Sequence, residues 1–290
     1  MYAILDALAA QPQTGLFFVD YHGHRRDYTF GEVSEQSQRY AAVLRALGVH
    51  EGERVAMCNA NTQKCLFLLL ALERLGARAV LCSESLSGEE LLERFKQYGV
   101  TTIVANRRRS VHVDFAHEQL PPHTRYVLVG ADRDGWARMD TLAVSAKPYA
   151  GESASAPPSD VVKAVAGEIF GAAEGDRVWT TLPFASRFWF ACAHAPLYSH
   201  AATIVHEGPF DPLERLDLLH ELSATVLCQP AAEFEALLDR GSPSALRLPR
   251  LRRCIALDAG TELRERWELQ TGRPLESPSF DRFLQGKTPA

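Results

Sequence analysis

Residues 54–82 read RVAMCNANTQKCLFLLLALERLGARAVLC, and this stretch decides the fold class of the chain. Short apolar runs at 54–58 and 78–82 predict two strands. The longer apolar run at 62–75 predicts a helix between them, and Gly76 supplies the stop that ends it. A strand, a helix and a second strand in this order form a unit with parallel strands. We therefore predict an α/β protein.

The same alternation of strands and helices continues on both sides of this stretch. Further strands are predicted over 16–20, 26–30, 101–104, 126–129, 177–180, 202–205, 224–227 and 253–256. Further helices are predicted over 30–47, 87–98, 161–170, 188–198, 211–222, 231–238 and 262–270. Residues 148–160 are rich in Pro, Ser and Ala, which is typical of a linker. We predict a first α/β lobe over 1–147, a linker over 148–160 and a second α/β lobe over 161–290, each with a largely parallel sheet flanked by helices.

Composition and charge exclude several classes of protein. The 290 residues carry a formal net charge of −5, which offers no concentrated basic face for nucleic acid. The six cysteines stand singly inside apolar runs, without the spacing of zinc or redox motifs, and are predicted to be reduced core residues. The N-terminus lacks the pattern of a signal peptide, and no apolar run approaches the roughly 20 residues that span a bilayer. We expect a cytoplasmic protein without a membrane span.

The sequence contains no residues with the spacing of a known catalytic site. It lacks the G-x-S-x-G nucleophile elbow, the phosphate-binding G-x-x-x-x-G-K-[ST] loop and the zinc-binding H-E-x-x-H helix. His22 and His24 fall on a predicted hairpin turn, where exposure is expected. The three arginines at 107–109 are predicted to form a solvated loop after a strand. We therefore predict no catalytic residue and no metal site.

An aromatic cluster is the first candidate for a ligand site. Phe184, Phe188 and Trp189 follow the strand predicted over 177–180. Ligand pockets of α/β proteins open beyond the carboxyl ends of parallel strands, which favours a binding site here. Packing in the core is the alternative, and aromatic side chains have this role more often.

Several short motifs recur in the order of a known family. The first lobe contains Tyr28-Thr29-Phe30-Gly31-Glu32-Val33 and Gly52-Glu53-Arg54-Val55-Ala56, and the second contains Gly175-Asp176-Arg177-Val178-Trp179 and Phe210-Asp211-Pro212. In this order they resemble the adenylate-forming superfamily of acyl-CoA synthetases, peptide-synthetase adenylation domains and luciferases, and within it the medium-chain acyl-CoA and acetyl-CoA synthetases. The resemblance covers nearly the whole chain and implies the two-lobed N-terminal domain of those ligases. The motifs are mostly scaffold residues, so they predict a fold rather than an activity.

This sequence does not match the superfamily at the motifs that bind ATP. Its phosphate loop, a Ser/Thr/Gly-rich stretch ending in Pro-Lys-Gly, is expected just before the helix at 161–170. Here Asp160 is followed directly by that helix, on which Lys163 stands alone. Asp258-Ala259-Gly260 replaces the adenine-binding turn, and the Tyr-Gly-x-Thr-Glu motif expected near 279–283 is absent. The ribose-binding aspartate and the C-terminal lid would lie beyond the last residue.

These departures favour a pseudo-ligase, a non-catalytic relative without a cofactor that binds an acyl, CoA or carrier-protein ligand or a partner protein. Its ligand-binding residues are predicted to be Phe184, Phe188, Trp189, Asp258 and Gly260. One alternative is a ligase subunit that is active only when a partner chain supplies the missing elements. A second is a structural or regulatory member of a homo- or hetero-oligomer. A third is a decayed gene product without a selected role.

Overall fold

The computed structural model describes residues 2–59, 62–151, 160–182, 184, 186, 189–242 and 244–278, and the structural statements concern these residues. The chain divides into two compact units. Unit 1 comprises Met1–Pro12, Thr29–Pro157 and Pro183–Ser186, and unit 2 comprises Gln13–Tyr28, Pro158–Leu182 and Arg187–Ala290. Each unit is built on one largely parallel sheet flanked by helices, which confirms the predicted α/β class.

Helices and strands alternate along most of the chain. The helices are α1 (Tyr2–Leu8), α2 (Phe30–Ala46), α3 (Gln63–Arg74), α4 (Gly88–Tyr98), α5 (Arg107–His117), α6 (Met139–Ser145), α7 (Asp160–Ala164), which continues into a π-helical segment (Val165–Phe170), α8 (Trp189–Tyr198), α9 (Pro212–Glu221), α10 (Ala231–Arg240) and α11 (Thr261–Thr271). The strands are β1 (Thr14–Val19), β2 (Arg25–Thr29), β3 (Arg54–Cys58), β4 (Arg78–Leu81), β5 (Thr102–Asn106), β6 (Arg125–Val129), β7 (Ala137–Arg138), β8 (Arg177–Thr180), β9 (Ala202–His206), β10 (Val226–Pro230), β11 (Arg253–Leu257) and β12 (Leu275–Glu276). Within the described ranges, no helix combines the length and the apolar character needed to cross a membrane.

The sheet of unit 1 has five strands in the order β4-β3-β5-β6-β7, and all of their pairings are parallel. Val55 on β3 lies opposite Ala79 on β4 and Thr102 on β5. One face of the sheet packs against α4 and α5, whose Phe95 and Val113 are fully buried in the same apolar cluster as the strand residues. This packing accounts for the long apolar runs of β3 and β5, because both faces of a parallel sheet are covered.

The sheet of unit 2 has seven strands in the order β12-β11-β10-β8-β9-β1-β2. β1 pairs in parallel with β9, and Phe17 lies opposite Ile204. The sequence predicts β1 in the first lobe, over 1–147, whereas the structure places it in unit 2. An apolar strand needs neighbours that cover it, but its sequence does not specify which strands those are. The lobe boundary within 148–160 stays a prediction, because residues 152–159 lie outside the described part.

Residues 107–117 form the helix α5, so the prediction of a solvated loop at 107–109 is wrong. Asn106 caps this helix by accepting a hydrogen bond from the backbone N of Arg109 at 2.8 Å. The Arg109 side chain is buried, and its guanidinium donates to the carbonyl oxygens of Glu84 at 2.8 Å and Leu86 at 2.6 Å. Those carbonyls belong to the loop after β4. The run of three arginines in the sequence does not reveal that this distant loop binds one of them.

Two other predictions about single residue types are confirmed. All six cysteines are free and buried, as expected of reduced core residues. His22 and His24 are exposed on the turn between β1 and β2, where Asp20 accepts hydrogen bonds from both of their backbone N atoms at 2.8 Å.

An ion pair between a buried arginine and a partly exposed aspartate joins the first three helices of unit 1. Arg74 of α3 donates to the two carboxylate oxygens of Asp6 of α1 at 2.7 and 2.5 Å. Its Nε donates to Ser37 of α2 at 2.9 Å, and Ser34 of α2 donates to Asp6. Burial tends to raise the pKa of Asp6, but the hydrogen bonds from Arg74 and Ser34 outweigh burial and lower this pKa below its ordinary value of 3.8.

The lowered pKa of Asp6 predicts a pH-dependent contribution to stability. Asp6→Asn should reduce the free energy of unfolding by about 1–2 kcal/mol at pH 7, since the variant loses the carboxylate that pairs with Arg74. In the parent protein this contribution is present above pH 3.8 and is lost as pH falls through the lower folded pKa, so the two proteins should converge in acid. Urea unfolding between pH 7 and pH 3 measures the difference. Asp132→Asn, at an exposed pair with Arg138, is the control and should change little; equal effects of the two variants would contradict the prediction.

Candidate functional site

The strand order of unit 2 changes direction between β8 and β10. From β8 the chain passes through α8 to β9 on one side, and from β10 it passes through α10 to β11 on the other side. The two helices leave toward opposite faces, because Cys192 of α8 contacts Cys228 of β10, whereas Phe234 of α10 packs with the neighbouring Leu227. Ligands of open α/β sheets bind in the crevice beyond the carboxyl ends of strands at such a point. The candidate site therefore lies at the ends of β8 and β10.

A largely buried polar cluster occupies this position. Thr181, which follows β8, donates to Glu233 Oε2 at 2.8 Å. Arg215 Nη1 donates to the same carboxylate oxygen at 3.3 Å and to Gln229 Oε1 at 3.0 Å. Arg215 and Gln229 are buried, at 5% and 0% exposure, and Glu233 is half-buried. The cluster joins α9 and α10 to the ends of two neighbouring strands.

The cluster retains unused donors. Arg215 Nε and Gln229 Nε2 are buried and have no hydrogen-bond partner. The Arg215 guanidinium lies 4.4 Å from the ring centre of Trp179 and 5.1 Å from that of Phe210. Burial lowers the pKa of Arg215, while the carboxylate of Glu233 opposes the shift, and a guanidinium remains charged under both influences. The site can therefore donate hydrogen bonds to a carbonyl or carboxylate oxygen.

His206 borders the cluster at the end of β9. Its imidazole lies 6.1 Å from Trp179, edge to face, and its Nε2 is 3.8 Å from Glu214 Oε1. Burial lowers the pKa of His206, although Glu214 partly opposes the shift. The imidazole is therefore neutral at pH 7.

The sequence carried one signal for the cluster. Arg215 precedes Leu218, Leu219 and Leu222 at spacings of three, four and seven residues, so it lies on the apolar face of its helix. A charged residue on that face has to be paired once it is buried. Its partner, Glu233, could not be identified from spacing, because it comes from a different helix.

The residues predicted to bind a ligand are only partly brought together. Asp258 and Gly260 lie on one exposed turn after β11, which neighbours β10. Asp258 has a left-handed backbone with φ of 56°, and Gly260 caps α11. Trp189 begins α8 in the same unit and is 3% exposed, whereas Phe184 is buried in unit 1. Phe188 lies outside the described residues.

Lys163, the one lysine near the expected position of the phosphate loop, pairs with a residue of its own helix. Lys163 lies on α7, half exposed, with its Nζ 3.5 Å from Asp160 Oδ1 on the same helix. The segment 152–159 before it lies outside the described part. Within the described residues, no group of three or more His, Cys, Asp and Glu side chains has the arrangement of a metal site.

Comparison with known proteins places this chain in a family. The profile of the AMP-binding enzyme family matches residues 6–163, which is more than half of the chain. This chain belongs to the AMP-binding enzyme family. The match confirms the resemblance to acyl-CoA synthetases that the sequence motifs suggest.

Two relatives of this AMP-binding protein extend the similarity beyond residue 163. It is 25% identical over 283 residues to 3-[(3aS,4S,7aS)-7a-methyl-1,5-dioxo-octahydro-1H-inden-4-yl]propanoyl:CoA ligase of Mycobacterium tuberculosis, a match that covers 86% of this chain and 55% of the ligase. It is also 25% identical over 291 residues to the mitochondrial acyl-coenzyme A synthetase ACSM2A of Homo sapiens, covering 90% of this chain and 50% of the synthetase. The chain thus spans about half the length of these relatives.

Solved structures support the same fold. The acyl-CoA synthetase of Brucella canis superposes with a TM-score of 0.81 at 17% identity, covering 94% of this chain and 56% of that one. The anthranilate CoA ligase AuaEII, solved with anthranoyl-AMP, superposes with a TM-score of 0.82 at 18% identity, covering 94% and 58%. At these identities the similarity demonstrates the fold alone.

The charge pair at the candidate site predicts a measurable loss of stability. Glu233→Ala should lower the free energy of unfolding by about 3 kcal/mol, because it leaves the Arg215 guanidinium buried without its carboxylate. The exposed Glu235, two residues along the same helix, is the matched control, and Glu235→Ala should stay within about 0.5 kcal/mol. Urea unfolding followed by tryptophan fluorescence gives both values.

A double variant tests whether the loss of stability comes from leaving the Arg215 charge unpaired in the protein interior. Arg215→Met combined with Glu233→Ala should destabilise the protein less than Glu233→Ala alone, since no unpaired charge remains. A Glu233→Ala variant as stable as Glu235→Ala would show that solvent screens the pair and that the cluster is not a buried network.

Proposed function

We propose that this protein is a non-catalytic acyl-CoA synthetase-like member of the AMP-binding family that binds an acyl or acyl-CoA ligand. One observation carries the proposal. Lys163 is the only lysine between residues 149 and 278, and it lies on a helix beside Asp160 rather than in a glycine-rich loop. A polyphosphate is bound by flexible backbone N–H groups together with a lysine, and the sequence before α7 contains no glycine-rich stretch that ends in a lysine.

The local sequence opposes phosphate binding in two further ways. Pro157 and Pro158 lack backbone N–H groups, so the segment before α7 has fewer donors for phosphate oxygens. Asp160 places a carboxylate in the first turn of α7. A negative charge at a helix N-terminus occupies the position that would otherwise attract an anion.

The last acidic residue of the described part, Glu276, precedes the missing Tyr-Gly-x-Thr-Glu motif and is also engaged. Glu276 of β12 accepts hydrogen bonds from Arg253 Nε at 2.8 Å and from Arg253 Nη2. A carboxylate held by both arms of a guanidinium has less capacity to coordinate a metal ion. Adenylyl transfer depends on positioning and charge neutralisation, so losing the phosphate cradle and the metal carboxylate together removes most of the acceleration.

Two observations favour an acyl ligand. The matched relatives are named as CoA ligases and acyl-CoA synthetases. The polar cluster at the ends of β8 and β10 has unused donors on Arg215 and Gln229, and the apolar helix α8, which begins with Trp189, follows β8 along the chain. Binding sites for small organic molecules combine apolar surface with a few polar groups in this way.

Thermal unfolding with separate ligands tests the proposal. Octanoyl-CoA or benzoyl-CoA should raise the melting temperature by roughly 5 °C at saturating concentration, because a ligand that binds only the native state stabilises it. ATP and AMP should leave the melting temperature unchanged, and ATP–pyrophosphate exchange with octanoate and benzoate should stay at background. Exchange by the pure protein would overturn the non-catalytic assignment. Exchange that appears only after a second chain is added would support the partner-dependent ligase, and no shift with either acyl-CoA would overturn the ligand.

A pair of tryptophan variants locates the ligand. Trp189→Leu should abolish the shift caused by octanoyl-CoA, whereas Trp267→Leu should retain it. Both side chains are buried in unit 2, but Trp267 packs on Phe234 between α10 and α11, at a ring distance of 4.8 Å. Each shift is measured against the variant's own melting temperature without ligand. Equal shifts in both variants would show that Trp189 is a core residue only.

A further inference from the structure

Two cysteines lie side by side at the carboxyl ends of neighbouring strands in unit 1. β3 and β4 are parallel, with Met57 opposite Leu81, and the next residues along them are Cys58 and Cys82. The backbone N of Cys82 donates to Met57 O at 3.0 Å, which continues the ladder to this position. Both cysteines belong to the apolar cluster on the face covered by α4 and α5, so their side chains share one face of the sheet.

This placement satisfies the spacing of a disulfide bond. Neighbouring strands lie about 4.7–4.9 Å apart, and bridged cysteines have Cα atoms about 4.4–6.8 Å apart. The thiols of Cys58 and Cys82 are close enough to influence each other's pKa, and Cys82 Sγ donates to Val80 O at 3.6 Å. A bond between them therefore requires no exchange of strand partners.

Two arginines bring positive charge near both thiols. Arg94 of α4 lies near Cys82, and Arg109 holds the loop after Cys82 through the carbonyls of Glu84 and Leu86. The hydrogen bond from Cys58 lowers the pKa of Cys82, and both guanidinium groups lower it further against the effect of burial. The hydrogen bond to Cys82 and burial raise the pKa of Cys58, although the same two guanidinium groups oppose this shift. Cys82 is the thiol favoured as thiolate, and Cys58 keeps its proton.

A second thiol pair in unit 2 provides an internal comparison. Cys192 of α8 and Cys228 of β10 are also buried and in hydrogen-bond contact. The hydrogen bond to Cys228 and burial raise the pKa of Cys192, and the group that opposes this is the neutral Thr180 rather than an arginine. The two pairs therefore share burial and contact but differ in nearby positive charge.

We propose that Cys58 and Cys82 form a peroxide-oxidised dithiol site. The Cys82 thiolate attacks one oxygen of hydrogen peroxide, the O–O bond breaks, and Cys82 becomes a sulfenic acid while hydroxide leaves. The Cys58 sulfur then attacks the Cys82 sulfur, and its proton leaves with the hydroxyl group as water, so the pair loses two electrons to the peroxide overall. Cys82 is 1% exposed, and Glu84 and Ser85 beside it are exposed, so the peroxide enters when this loop opens locally. The site is independent of the proposed acyl ligand.

Hydrogen peroxide titration of the purified protein tests the site. Alkylation before and after reduction, followed by peptide mass spectrometry, should identify a disulfide between Cys58 and Cys82 while Cys192 and Cys228 remain thiols. In Cys58→Ser, Cys82 should stop at the sulfenic acid and react with a cyclic 1,3-dione. In Cys82→Ser, Cys58 should stay reduced, and Cys192→Ser should leave the disulfide unchanged.

An arginine variant tests the electrostatic part of the proposal. Arg94→Met should slow oxidation of Cys82 by about threefold to tenfold, because the thiolate fraction falls when the positive charge is removed. Arg108→Met, at an exposed position of α5, should leave the rate unchanged. If both thiol pairs oxidise at the same rate, or only in urea, Cys58 and Cys82 are core residues and the site does not exist.

Discussion

Parallel strand pairing is the constraint on which both units of this protein depend. Parallel neighbours cannot be joined by a tight hairpin, so the connections between them pass through helices that cross a face of the sheet. The carboxyl ends of the strands consequently meet at one edge of each sheet. Thr181 and Gln229 in unit 2, and Cys58 and Cys82 in unit 1, follow or end separate strands and come together for this reason. Apolar strand interiors supply the stability, and the strand ends are left for polar groups.

Buried arginines connect these elements, and each one has acceptors of its own. Arg74 is matched by Asp6, Arg109 by two loop carbonyls, and Arg215 by Glu233 and Gln229. A guanidinium removed from water is stable only with such partners. Cations used in this way hold helices to neighbouring helices, loops and strands. The residues that stabilise the scaffold of an AMP-binding enzyme differ from those that bind its nucleotide. The scaffold can therefore be retained when the nucleotide-binding residues are not.

The same packing produces different chemistry at the two thiol pairs. Both pairs are buried, but Arg94 and Arg109 lower the pKa of Cys58 and of Cys82, whereas the group that lowers the pKa of Cys192 is Thr180. Burial alone makes a cysteine inert, and positive charge nearby favours the reactive thiolate. Arg109 has a double effect here, because it anchors the loop beside Cys82 and also adds charge near the sulfur. Position in the sheet and the neighbouring helix together decide which thiols can react.

The sequence by itself determined the α/β class and the family resemblance. The strands at 54–58 and 177–180 begin and end at the predicted residues. Apolar runs and glycine stops are local signals that extend over only a few residues, so the sequence alone reveals them. Of the candidate site, the sequence indicated only the strand ends, and it missed Arg215 and Glu233; ligand binding by the turn at 258–260 stays a prediction. Only the tertiary structure decided that β1 pairs with β9, that Arg109 and Arg215 are buried, and that Cys58 lies beside Cys82. Each of these depends on elements far apart in the chain, and local periodicity contains no information about which distant strand or helix becomes the neighbour.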